Sequence, residues 1–161
     1  MTTVALSREE RALYNPAFTA VLCARAVQGY DKEYTAPCPL PVAVTAVVMA
    51  LQPTVRAVLP ATTGTGLMGW LDRNDAVRVA MIRNTASLAA VVRPGLLFAL
   101  QSRILHCHSG GLDPVPGALA KTIKGDTAQS VAIQKAAAQL GRWLPSTGSL
   151  STVLTLLGVQ P

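Results

Sequence analysis

The sequence predicts a mainly α-helical, compact single domain of 161 residues with one short β-hairpin. Three observations carry that prediction. Apolar residues recur at helical spacing between abrupt proline and glycine breaks. Half of the chain is hydrophobic, mostly Ala, Val and Leu, while aromatics make up only 4%; small aliphatic side chains suit close helix packing. Residues 104–121 hold two turn signals in succession, His108-Ser109-Gly110-Gly111 and Asp113-Pro114-Val115-Pro116-Gly117.

Residues 1–13 read as a polar lead-in. Asn15-Pro16 marks a helix start, because Asn can cap orphan N–H groups and Pro at the first helical position has no N–H to satisfy. This helix is expected to reach about Glu33. Arg25, Gln28 and Lys32 form its narrow polar stripe, and Phe18, Val21, Leu22, Ala26, Val27 and Tyr30 spread round the rest. An apolar arc that wide implies burial on more than one side. Pro37, Pro39 and Pro41 then hold the chain extended. An apolar helix over 41–51 follows, then a helical turn from Pro53 to Val58, a flexible loop at Thr62–Gly66, and one or two turns from Leu67 to Leu71.

Asn74 or Asp75 can cap a helix over 75–92, with Val77, Met81, Asn84, Leu88 and Val91 as its inner stripe. Arg93-Pro94-Gly95 is expected to break it before a short helix from Leu96 to Arg103. Ile104–His108 reads as a strand paired with Ala118–Lys121, the outline of a winged helix. Asp126 or Thr127 caps a helix to Leu144, with Ile133, Ala137, Leu140 and Leu144 inward and Lys135, Gln139 and Arg142 on a polar face. Pro145–Gly148 is a linker, and Leu150, Val153, Leu154 and Leu157 define a last helix closed by Gly158.

The chain reads as an apolar helical half, 14–92, and a basic helical half, 93–161, and its charge is uneven. The net charge is +6. Residues 1–75 carry six basic and six acidic side chains, whereas residues 76–161 carry eight basic and two acidic. The eight are Arg78, Arg83, Arg93, Arg103, Lys121, Lys124, Lys135 and Arg142. Such asymmetry points to a polyanionic or acidic partner, although the charges stand singly and equally suit a solvated face. A membrane span is excluded: the longest strongly apolar piece, Leu40–Leu51, is twelve residues, and a span needs roughly 20. Arg8, Glu9, Glu10 and Arg11 do not suit a secretory signal, so a cytoplasmic chain is expected.

Catalytic chemistry finds few candidates. The two histidines, His106 and His108, flank Cys107; on a strand they would share one side, about 6–7 Å apart. A zinc site needs three or four converging ligands, and Asp113 is the one acid nearby, so no metal site is expected. Cys23, Cys38 and Cys107 read as buried thiols rather than a disulfide framework. Gly64-Thr65-Gly66 lacks the lysine of a phosphate loop. Asp72 and Asp75 lie beside Arg73 and Arg78, which suits surface ion pairs. No catalytic residue and no cofactor is expected.

Several segments occur in a familiar order: Asn15-Pro16-Ala17-Phe18, Tyr30, Pro39-Leu40-Pro41, Thr54-Val55-Arg56 with Leu59-Pro60, Leu67–Leu71 around Trp70, Leu140-Gly141-Arg142-Trp143, Gly148, and Leu156-Leu157-Gly158-Val159 with Pro161. Over nearly its whole length the chain resembles the middle components of three-component ABC systems, of which Lamassu-type anti-phage systems are one kind. Gln52-Pro53 departs from the histidine-containing step expected there. The resemblance implies a winged-helix-like or kleisin-like adaptor without enzymatic activity. Its partners would be an SMC/Rad50-like ABC ATPase, an effector that is often a nuclease, and double-stranded DNA reached through the complex. Phe18, Tyr30, Trp70, Trp143, Leu150 and Leu154 are candidate interface anchors, although the core is the default place for the two tryptophans, and the basic set contacts DNA or an acidic neighbour. The alternative is a stand-alone winged-helix-like DNA-binding regulator using Arg78, Arg83, Lys121 and Lys124.

Overall fold

The computed structural model describes residues 7–159; the first six residues of the expected lead-in and the terminal Pro161 lie outside them. The chain is mainly helical, as its sequence predicts. Ser7 opens a short helix, α1 (Arg8–Leu13), through a reciprocal cap in which Ser7 Oγ accepts from Glu10 N and Glu10 returns to Ser7 N. The expected lead-in is therefore partly helical. Asn15 caps α2 (Pro16–Asp31) by accepting from Ala17 N at 2.8 Å. The extended, proline-rich step holds a two-residue strand, β1 (Cys38–Pro39). Helices α3 (Leu40–Ala50), α4 (Pro53–Arg56) and α5 (Leu67–Arg73) follow close to their expected bounds.

The largest departure is α6 (Asp75–Gln101), a single helix running through Arg93-Pro94-Gly95. Proline removes the N–H that would bond the carbonyl of Ala90, but both residues face outward, where water can satisfy that carbonyl. Gly95 faces inward and sits so close to α2 that a Cβ would overlap the side chain of Thr19 and crowd the Ala20 nitrogen. Tertiary packing thus holds a helix that local propensity would break. The boundary between halves drawn at 92/93 falls inside this one element.

The hairpin is tighter than expected. Strand β2 (Leu105–His108) turns at Ser109-Gly110 into β3 (Gly111–Pro114), not into Ala118–Lys121. β1 joins the other edge of β3, giving a three-stranded antiparallel sheet of order β1-β3-β2. Its prolines lie at strand ends, where a missing N–H costs least.

Thr127 caps α7 (Ala128–Ser146), and Ser149 caps α8 (Leu150–Leu156). α7 ends two residues beyond Leu144 and takes in Pro145. Gly158, at φ +75°, closes the C-terminal turn in the left-handed region that glycine enters freely.

The core is built around α2. α6 and α7 pack against it over its length, and α3 covers a third side. Gly29 and Gly141 let α2 and α7 touch backbone to backbone: a Cβ on Gly141 would overlap the Ala26 carbonyl, and one on Gly29 the Ala138 carbonyl. Leu22, Met49, Met81, Ile133, Leu140, Trp143 and Leu144 fill the interior.

Candidate interaction surface

The aromatic candidates are spent inside the chain. Trp70 and Trp143 are buried and meet edge to face, with ring centroids 5.0 Å apart. Trp70 Nε1 donates to the Val58 carbonyl at 2.6 Å, and Trp143 Nε1 to the Thr65 carbonyl at 2.7 Å. Gln139 donates to the Pro60 carbonyl and Ser146 to that of Thr63. Four carbonyls of 58–65 are thereby held on α5 and α7, so the loop read as flexible is fastened at regular intervals. Tyr30 and Leu154 are buried too, while Phe18 and Leu150 are half-buried against the core. Tyr30, Leu150 and Leu154 line an apolar cavity of about 140 Å³ between α3, α7 and α8.

The polar stripe of α2 also turns inward. Arg25 is 3% exposed, and among the described residues no carboxylate pairs with it. Its Nε donates to Gln134 Oε1 at 3.1 Å, and one terminal nitrogen donates to Gln28 Oε1 at 3.0 Å and to the Ala120 carbonyl at 2.6 Å. Gln28 and Gln134 in turn donate to the Leu119 and Lys124 carbonyls. These three side chains strap residues 119–124 to α2 and α7. Burial lowers the Arg25 pKa, and the amide and carbonyl oxygens compensate the charge. Nothing local distinguishes Arg25 from a solvated arginine, so the sequence concealed this network. Gln52, where a histidine-containing step was expected, plays a similar part: it is buried, bonded to Val48 and Met81, and receives a hydrogen bond from Asn84 of α6 at 3.0 Å.

The basic set is divided: Lys135 and Arg142 line one groove together with Lys32, while the others lie on α6 or in connecting segments. Arg142 pairs with Glu33, and Arg78 Nε is bound to the Leu156 carbonyl at 3.2 Å. Lys121, Lys124 and Arg103 are exposed in connecting segments, and Lys135 is exposed on α7. Arg83 and Arg93 are exposed on the outer face of α6. The His-Cys-His run is exposed on β2: the two imidazole centroids lie 6.2 Å apart, and His108 is 3.6 Å from Asp113. No third ligand joins them, and among the described residues no group of three His, Cys, Asp or Glu could hold a metal ion. Cys23 and Cys38 are buried, and burial pushes each thiol up to about 12, whereas Cys107 is exposed, contrary to its expected burial. No described helix is long and apolar enough to cross a membrane.

One surface stands out from its surroundings. α6 buries Val77, Met81, Leu88, Val92, Gly95, Leu96 and Ala99 on its inner face. Its outer face is apolar as well: Val79, Ile82 and Leu97 are 60%, 63% and 59% exposed. With 100° per residue, they share one side of the helix with exposed Arg83, Ala86, Ala90 and Arg93. Met68, Leu40 and Phe98 are the other large apolar side chains left exposed. On the outer side of α6, Val79 and Ile82 lie towards one end and Leu97 towards the other, with Ala86 and Ala90 between two exposed arginines. It escaped the sequence reading because the proposed break at Pro94 divided it in two.

No curated protein and no solved structure matches the chain. The family model described as ABC-three component (ABC-3C) system Middle Component 3 matches residues 3–161. That match spans every described element, and the chain belongs to this family of middle components.

Proposed function

We propose that the chain is a non-catalytic adaptor of an anti-phage defence complex, joining an SMC/Rad50-like ABC ATPase to an effector, which we take to be a nuclease in a Lamassu-type system. The observation that carries this reading is the outer face of α6, a helix whose two opposite sides are both apolar. A chain that already encloses one core gains nothing from a second apolar face unless another protein covers it. Membership of a middle-component family supplies the context, since such a component works among others. The two buried thiols are held protonated by burial, so they are poor nucleophiles.

The test is co-purification of the full chain with the ATPase and effector components of its own system. The adaptor reading expects a stable complex with at least one of them. A chain that elutes alone in the presence of both overturns it. The stand-alone DNA-binding reading gains no support from the geometry: of its four contacts, Arg78 is occupied by a carbonyl of the C-terminal helix, and Lys121 and Lys124 lie outside any helix.

A further inference from the structure

We infer that the outer face of α6 docks one acidic amphipathic helix of a partner component, aligned along its length; this rests on the adaptor reading and specifies the chemistry of its partner. Val79, Arg83, Ala86, Ala90, Arg93 and Leu97 follow one another at intervals of 4, 3, 4, 3 and 4 residues. That is the spacing by which one helix presents a continuous seam to another lying nearly parallel to it. All six are exposed, and Ile82 borders the seam. Ala86 and Ala90 at its centre leave room for a close approach, with larger apolar side chains at both ends.

Charge selects the occupant. Residues 76–112 contain Arg78, Arg83, Arg93 and Arg103 and not one Asp or Glu. Among the described residues, Arg83 and Arg93 have no carboxylate partner. A second copy of the chain would set this acid-free face against itself and juxtapose like charges. A nucleic acid backbone would meet methyl groups between the arginines, where phosphate needs charge or hydrogen-bond donors. A helix with an apolar stripe and carboxylates beside it satisfies both components of the seam. Arg83 and Arg93 are ten residues apart, about 15 Å along the axis. A partner helix lying alongside would therefore carry its two matching carboxylates about ten or eleven residues apart.

The experiment measures binding of the full chain to the full-length ATPase component and to the full-length effector component, each immobilised separately. The parent chain binds one of them, and Ile82→Glu with Leu97→Glu weakens that binding at least about tenfold. Arg83→Glu with Arg93→Glu also weakens it, and reversing a pair of partner carboxylates to Lys restores it. Arg8→Glu with Lys32→Glu, exposed on α1 and just past α2 rather than on α6, changes it less than about twofold. Thermal melts of every variant check the fold, because Ile82, although exposed, lies against Gly158 of the C-terminal turn. If the parent chain binds and both seam variants bind equally well, the docking surface lies elsewhere; this inference falls while the adaptor reading stands. If the arginine variant loses affinity for a DNA duplex but not for either component, the seam is a nucleic-acid contact and the inference also falls. If the parent chain binds neither component, the adaptor reading fails and takes the inference with it.

Discussion

α2 and α6 are both long and rich in apolar residues, yet they do opposite things with that property. α2 is enclosed by α3, α6 and α7, and even its arginine is buried. α6 gives one face to α2 and leaves Val79, Ile82 and Leu97 uncovered on the opposite one, beside Arg83 and Arg93. The wide arc on α2 implied burial on more than one side, and its neighbours prove to be three helices of the same chain. Exposed large apolar side chains lie instead on the helix that seemed to have a single buried stripe. The width of an apolar arc reports how much must be covered, and only the fold reveals what covers it.

That contrast can be broken from the buried side first. Leu22→Ala removes a fully buried side chain at the centre of α2 and is expected to cost about 2–5 kcal/mol in chemical denaturation. A cost below about 0.5 kcal/mol would mean that α2 is not the core helix. Arg25→Leu comes next. It leaves Gln134 Oε1 and the Ala120 carbonyl without their donor, at about 1–3 kcal/mol. Limited proteolysis should then cut within 115–127 before any other segment; cleavage unchanged from the parent chain would contradict the strap.

The exposed side of the comparison should respond differently. Leu97→Ala shortens a side chain that touches little of the chain's own core, so the isolated protein should keep its stability within about 0.5 kcal/mol. A loss as large as that of Leu22→Ala would show that the seam is already covered. The smallest perturbation is thiol labelling at neutral pH, which should modify exposed Cys107 rapidly without shifting the melt. Cys23 and Cys38, buried and with pKa values of about 12, should react only when the chain unfolds. Mass spectrometry of the labelled native protein decides the matter.

Local signals foretold much of this architecture. Asn15-Pro16 and Thr127 start helices where capping chemistry says they should, and the stripe Ile133, Ala137, Leu140 and Leu144 is wholly buried. What stayed hidden was set by tertiary contact. Pro94 continues α6 because its lost bond faces water and Gly95 locks against Thr19. β1 exists only because β3 lies beside it, and Arg25 is buried only because residues 119–124 cross over it. The candidate surface was legible in part: Arg83 and Arg93 were named, while Val79, Ile82 and Leu97 became one face only when α6 proved continuous.

The adaptor account is tested most directly by leaving the chain out. With all three components purified, the ATPase and effector should migrate as one complex on size exclusion only when this chain is present, and as separate species when it is omitted. An ATPase and effector that associate equally well without it would contradict the claim that this chain joins them.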